Sequence, residues 1–446
     1  MANEALLHYK KMGVQIESTF AAGTITDATR LLPLRDSGVV INLNRQLITP
    51  GRISGRASLK QSYLGTNAPK FTIPAFGYPV GHTLKLLKMA LGQVSSVEVA
   101  SFTVTSSSND KIDFTEDGGA EVTATLTAGT YKMGTTSATA GTLCALIKTQ
   151  MEAVNGASTY TVTYSMTTKL LTITKSSGVF VLKWATGTNA ATAADTLLGF
   201  AADTASAIAA TAPTATEIVW DHTLTPLDAI TYGLSAGMTA QVKLADGKVF
   251  DILDSVVDML KLSYKPNQEL WIDAECEART LAASVATMAS LTEETVSPFL
   301  YSQLAFTIGG VAHELSGLDV NYSNNYKKDL FVNSANRSKF PRNGFREVGG
   351  TFTMDLADSR AYAVYDAFLT GTQPALVATY TAAASSIKTS FAYTLTHTLP
   401  KVQYNLEAVP GGGGAAAPDA PIPFVALDDG TDGEMKIVVR NNEATL

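Results

Sequence analysis

The sequence predicts a mainly β (α+β) fold: two tandem β-sandwich or barrel modules, each with a flanking helix and a long hairpin loop, plus a small inserted domain. Three observations predict it. Short segments alternating with period two, rich in β-branched residues, recur along the chain, whereas few stretches carry helical spacing. One arrangement of elements is written twice. A Thr/Ala-rich region interrupts the first copy only. In the second copy Ser316-Gly317-Leu318-Asp319-Val320-Asn321-Tyr322 opens a strand and runs into a basic loop. Phe352-Thr353 lies in the next strand, and a helix from Ala361 to Leu369 stops at Gly371. In the first copy Ser37-Gly38-Val39-Val40-Ile41-Asn42 opens a strand, and a polar loop carries Arg45, Arg52 and Arg56. Phe71-Thr72 follows, and a helical stretch from Leu84 to Leu91 ends at Gly92. The offsets are 279 (316 − 37), 281 (352 − 71) and 279 (371 − 92).

The totals narrow the class. A chain of 446 residues has room for two to three domains with sizeable cores. It is 46% apolar and 16% charged, a charged share below the usual quarter, as expected of a subunit that buries surface against neighbours. A formal charge of −7 argues against chain-wide affinity for nucleic acid, which needs clustered cations. Cys144 and Cys276 stand in different parts of the chain, so neither a disulfide framework nor a zinc site is expected, and cytosolic folding fits. Lys10 and Lys11 follow rather than precede the first apolar residues, and there is no apolar run of spanning length. The expectation is a soluble protein not marked for export.

In chain order, Gly13 to Phe20 contains a short strand, and the first module begins within residues 1–97. Residues 98–211 form the insert, with strands at Phe102–Thr105, Val122–Leu126, Tyr160–Tyr164 and Leu171–Thr174. A helix from Gly141 to Val154 presents Leu143, Leu146, Ile147 and Met151 on one face and ends at Asn155-Gly156 in a left-handed turn; a short helical turn lies near Ala194–Phe200. The first module resumes over 212–285. A hairpin joins Ala240–Leu244 to Val249–Leu253 through Asp246-Gly247, and strands follow at Leu260–Tyr264 and Leu270–Ala278. Residues 280–294 read as a helix-prone linker. The second module covers 286–446, with strands at 304–308, 391–398 and 401–409, a Gly/Ala/Pro loop from Pro410 to Pro421, and a final hairpin of Ile422–Leu427 with Met435–Val439. The strand after Gly371 is taken as Tyr393–Thr396, matching Phe250–Leu253 after Gly92.

No pattern of catalytic residues stands out. The histidines His8, His82, His222, His313 and His397 are dispersed, and neither a GxSxG elbow nor an HExxH helix occurs. Asp428, Asp429 and Asp432 superficially fit a calcium loop, but Val439 stands where a bidentate Glu is needed, so an acidic turn is expected and no cofactor or metal. Glu269, Asp273, Glu275 and Glu277 line one strand; paired carboxylates can hydrolyse glycosides, but a solvated or interface strand is the commoner case. The loop from Tyr322 to Glu347 holds Lys327, Lys328, Arg337, Lys339, Arg342 and Arg346. A solvated hairpin, a nucleic-acid patch and a subunit contact all fit it. In the third reading its basic tip, and Arg45, Arg52 and Arg56 in the other copy, meet acidic strands 269–277 and 428–434 of a neighbour.

The Gly13-Val14-Gln15-Ile16-Glu17-Ser18-Thr19-Phe20 opening and the order strand, long loop, strand, helix and antiparallel strands resemble the phage major tail tube proteins of siphophage type. The resemblance covers about 13–97 and 213–440. It implies a twisted β-sandwich whose strands join those of ring neighbours into an inner barrel, with a loop stacking on the next ring and an outward decoration domain. It further implies a virion protein, assembled in the host cytoplasm, with a tape measure protein, tail terminator and tail-tip proteins as partners. Genomic DNA would pass through the lumen without specific binding, and no membrane is involved. Two fused copies per chain predict homotrimeric rings, pseudo-hexameric in symmetry, with single-copy hexamers as the alternative. The leading expectation is therefore a structural tail tube subunit, not an enzyme; the alternative is a β-rich binding or adhesion protein of a virion or cell surface.

Overall fold

The structure, a computed structural model, describes residues 11–17, 32–35, 38–45, 47–48, 63–99, 102–156, 158–165, 168, 170–205, 218–227, 237–244, 248–283, 293–294, 296–331, 334–355, 361–388, 391–405 and 419–443. The chain enters through β1 (Lys11–Ile16), β2 (Val40–Asn42), β3 (Leu47–Ile48), β4 (Tyr63–Leu64) and β5 (Lys70–Phe76), then α1 (His82–Leu91) and β6 (Gly92–Glu98). Apolar residues on nearly every side of α1 make it a buried helix: Leu84, Leu86, Leu87, Met89, Ala90 and Leu91 are all covered. Gly92, at φ 93°, supplies the positive φ that ends it and returns its N–H to the Lys88 carbonyl.

The next segment holds β7 (Phe102–Val104), β8 (Lys111–Glu116), β9 (Val122–Thr125), β10 (Gly129–Tyr131), α2 (Leu143–Val154), β11 (Tyr160–Tyr164), β12 (Leu171–Lys175), β13 (Phe180–Leu182), α3 (Asp195–Leu198) and β14 (Thr204–Ala205). Its buried residues, from Phe102 to Ile218, form a core separate from that of the rest of the chain. The face of α2 expected inside is inside, with Leu143, Ile147 and Met151 buried. Asn155 caps α2 at φ −139°, so that terminus is not the left-handed turn expected from the Asn-Gly pair.

The frame resumes with β15 (Trp220–Pro226), β16 (Met238–Lys243), β17 (Val249–Tyr264), β18 (Trp271–Glu277) and β19 (Thr280–Ala283). It ends with β20 (Leu304–Ile308), β21 (Val311–Ala312), β22 (Gly317–Ser323), β23 (Glu347–Asp355), α4 (Ala361–Thr370), β24 (Leu376–Lys388), β25 (Phe391–Leu399), β26 (Lys401–Tyr404), β27 (Asp419–Leu427) and β28 (Lys436–Asn441).

Two antiparallel sheets carry this frame. The larger runs β2-β5-β18-β17-β22-β23-β27-β26, with β16 and β19 paired to the early part of β17 and β1 paired to β16. The smaller runs β21-β20-β24-β25-β28-β15-β6. Alternation decides their faces: β18 buries Ile272, Ala274 and Cys276 while Asp273 and Glu275 point out. Residues from both sheets share one core, where Tyr264 of β17 stacks on Tyr380 of β24 with centroids 5.7 Å apart. The architecture is mainly β, as expected.

Four expectations for single elements change. The segments 249–253 and 260–264 are one long strand, β17, bulged between Val257 and Met259. Residues 280–283, read as helix-prone, pair with β17, because Leu281 finds a place against the core there. The strand following α4 is β24, whose Leu376, Ala378, Tyr380 and Ala382 fill the core; Tyr393–Thr396 belongs to the strand after that. β27 and β28 form no hairpin: β27 pairs with β23 and β26, whereas β28 lies between β25 and β15 in the other sheet. Pro410 to Pro418 and Asp246-Gly247 lie outside the described residues.

His397 is fully enclosed between the sheets, its Nδ1 2.9 Å from the Tyr264 hydroxyl, and burial pulls its pKa down to about 3. An unfolded histidine titrates near 6.5, so between roughly pH 6.5 and 3 the unfolded chain binds a proton that the folded chain does not, and stability falls as pH drops. The His397→Gln variant should lose that component. Thermal midpoints recorded from pH 7 to 4.5 should decline less steeply for the variant than for the wild type.

Candidate assembly interface

The larger sheet is built from two runs of four strands with one pairing rule. Numbered by chain order, β2, β5, β17 and β18 lie as first-second-fourth-third, and β22, β23, β26 and β27 lie in the same order. The registers agree at constant offset. Val40↔Thr72, Ile41↔Phe71 and Asn42↔Lys70 become Asp319↔Thr351, Val320↔Gly350 and Asn321↔Gly349, each shifted by 279 (319 − 40, 351 − 72). α1 and α4 are also 279 apart at both ends (361 − 82, 370 − 91), and Gly371 repeats the positive φ of Gly92. The sequence offset of 281 at the Phe-Thr pairs is thus a chance match; Phe71 corresponds to Gly350. The two halves meet where β17 pairs with β22, from Met259↔Ser323 to Tyr264↔Leu318. The path ends at β2 on one side and β26 on the other.

The basic loop of the second half folds back onto this junction. Tyr326 and Phe340 pack with Val256 of β17 in a small separate core, and the Arg337 guanidinium lies over the Phe340 ring at 5.5 Å. Arg337 is 4% exposed and bonds Glu277 at 2.7 Å; Lys328 reaches Asp258 at 2.6 Å and Glu277 at 3.6 Å. Arg342 and Arg346 both donate to the Leu227 carbonyl, and Arg346 also pairs with Glu434 at 3.3 Å. Arg337, expected at a subunit surface, is therefore inside its own chain. The Phe340 ring and a buried carboxylate outweigh exposure at a loop tip. Lys327 and Lys339 remain exposed. Arg45 is exposed in the first loop, while Arg52 and Arg56 lie outside the described residues.

The acidic candidates also have partners in their own chain. Asp273 is bonded by Arg35, whose guanidinium stacks over Trp271 at 4.3 Å, and Glu275 is bonded by Lys70 at 2.7 Å. Lys261 approaches Asp319 at 3.6 Å. Glu269 is half-buried beside the Leu300 bridge. Asp428 accepts the Gly430 N–H, Asp429 accepts those of Thr431 and Asp432, and Asp432 pairs with Lys436. Those backbone donors hold the Asp429 carboxyl below the usual range and make 428–433 a self-capped turn.

Glu17, part of the opening motif, is 4% exposed and accepts the Thr239 hydroxyl and the Asp254 N–H; burial raises its pKa. His82, His222, His313 and His397 are buried in the fold, and His8 is outside the described residues. Among the described residues no group of three metal-ligating side chains occurs, and no helix is long and apolar enough to cross a membrane. Sequence reasoning singled out Glu277 among the strand acids but missed Asp258, which shares the Lys328 ammonium with it, and Asp254, which pairs with Arg279. The carboxylates of β17 gave no signal beyond their breaking of the apolar alternation.

No family model matches the chain, and no curated protein matches it in sequence. Removing Glu277 strands Arg337 in an apolar place, so Glu277→Ala should cost about 3–5 kcal/mol. Lys327→Ala should stay within roughly 0.5 kcal/mol. Denaturant midpoints of the two variants separate a buried lock from a solvated loop.

Proposed function

We propose that this chain is a structural subunit that polymerises by adding sheet edges, with two duplicated modules in one polypeptide. One observation carries the reading: the chain already joins two like four-strand runs, β17 against β22, and the ends of that path are the counterparts of those two strands. β26 occupies the place of β17 and β2 that of β22. Repeating the junction between chains is a head-to-tail contact, which either closes into a ring or grows as a filament. An edge that always meets the same partner is also kept from indiscriminate pairing.

The particular protein that fits is the major tail tube subunit of a long-tailed phage, with rings stacked into the channel that conducts DNA. Three chains would contribute eight larger-sheet strands each. At about 4.8 Å per strand, 24 strands give a perimeter of roughly 115 Å and a bore of about 37 Å between backbones before tilt widens it. That admits a duplex. The open face of the larger sheet would line the channel. Three cations on that face sit in ion pairs, Arg35–Asp273, Lys70–Glu275 and Lys261–Asp319, which leaves less unpaired positive charge facing a passing polyanion. The segment with its own core would project outward from the tip of the β6–β15 pair, where the second half has only the short β24–β25 connection. A tape measure protein, terminator and tail-tip proteins would be the partners, and the virion the location.

Negative-stain microscopy of purified protein should show rings or tubes of uniform bore. Discrete particles at all concentrations and salts would favour a β-rich binding or adhesion protein instead. Replacing residues 100–218 by a two-residue turn should leave tube formation intact, because Val99 already donates to the Val219 carbonyl at the mouth of that pair.

A further inference from the structure

We infer the register of the chain-to-chain junction: the trailing end of β26 in one copy meets β2 of a second copy with Asn405 directly opposite Asn44, and Arg45 of the second copy caps α4 of the first. The inference rests on the tube-subunit reading and adds the residues that meet. The β5·β18 ladder from Lys70↔Glu277 to Phe76↔Trp271 reappears whole in β23·β27, from Gly349↔Val425 to Asp355↔Asp419. β23 is shifted by 279 (349 − 70) and β27 by 148 (425 − 277). One strand further out, Val256↔Glu277 and Val257↔Cys276 become Gln403↔Val425 and Tyr404↔Phe424. β17 then spends Asp258 in its bulge, and Met259 faces Glu275. The counterpart of Glu275 is Pro423, whose carbonyl accepts the Asn405 N–H at 3.0 Å. Asn405 therefore stands where Met259 stands. Met259 is paired with Ser323, and Ser323 maps to Asn44 (323 − 279).

Exposure on the two free edges supports the same match. Leu43 is 54% exposed, whereas its counterpart Tyr322 is 1% exposed under the junction. Leu369 on α4 is 74% exposed, whereas its counterpart Ala90 is 1% exposed. Ala90 lies in the main core, and Asn324 of the second half donates to its carbonyl at 2.8 Å. The residue in the place of Asn324 is Arg45, exposed in the isolated chain and able to donate to the Leu369 carbonyl of a neighbour. Strand length agrees as well. β22, paired on both sides, spans 317–323, whereas β2, paired on one side, keeps only 40–42 of the matching 38–44. Docking would extend β2 through Asn44.

A double variant Asn44→Cys/Asn405→Cys tests the register, since Cys144 and Cys276 are buried and silent. Mild oxidation should convert the polymer into disulfide-linked dimers and trimers on a non-reducing gel. The single variants and an Asn42→Cys/Asn405→Cys pair two residues out of register should stay monomeric. Leu43→Lys should abolish polymer with no change in the thermal midpoint of the monomer, because Leu43 is exposed until docking. Tubes that form but cross-link equally through position 42, or that survive Leu43→Lys, overturn the register and leave the tube reading standing. Cross-linked dimers without rings or tubes uphold the junction and sink the tube. Neither cross-links nor tubes would remove both.

Discussion

The antiparallel ladder between β17 and β22 is the constraint on which the molecule depends. It turns two four-strand runs into one continuous sheet, so every other element is placed relative to it. β17 serves both sides: its first part holds β16 and β19, and its second part lies between β18 and β22. The two parts divide between Ser255 and Val256, and the bulge at Asp258 lies just inside the second. The bulge frees that carboxylate to take the Tyr326 N–H and the Lys328 ammonium, tying the loop of the second half down onto the first. A ladder alone can slip by two residues without changing which face is apolar. A buried ion pair such as Arg337–Glu277 cannot, since a slip would strand a charge. The polar lock beside the junction gives one alignment, which is the use for which such groups are best suited.

The two halves keep a common geometry with little common sequence, and the core shows how. At one pair of matched positions the first half places Phe71 beside Cys276, and the second places Gly350 beside Phe424. Large and small have changed strands while the pair still fills the same gap. Gly350 has no room for more: an added Cβ would lie 2.0 Å from the Asp319 carbonyl oxygen. Cores tolerate such exchanges when volume and patterning are kept. Residue identity is then a poor guide to matching geometry, and spacing a better one.

That contrast explains what could be read in advance. The strands with clean alternation, the long helices and the matched spacing of strand and helix ends were legible, because period and glycine stops are local properties of the chain. The offset of 279 even gave the matching helix ends. What escaped depends on contacts distant in sequence. β27 and β28 look like a hairpin locally, yet β28 is drawn into the other sheet between β25 and β15. β24 alternates well, but Ala and Ser dilute its pattern. The fate of the basic loop was least legible of all. Composition shows that Arg337 is charged, but not that Glu277 waits inside the fold with Phe340 above it. Arg45 shows the reverse case, a cation whose counterpart Asn324 is buried while it remains on the surface.

The smaller sheet does not follow the repeat. Its hairpins face each other across β28 in mirrored order, β6-β15 on one side and β25-β24 on the other, and among the described residues β28 has no counterpart. Glu98 at the end of β6 contacts the outlying segment by accepting the Met133 and Gly134 N–H groups. A closed annulus of such chains would present a smooth six-part inside and a three-part outside. A sleeve or accessory protein bound to the exterior in six equal copies would find alternate sites unlike, whereas one present in threes would find each of its seats the same.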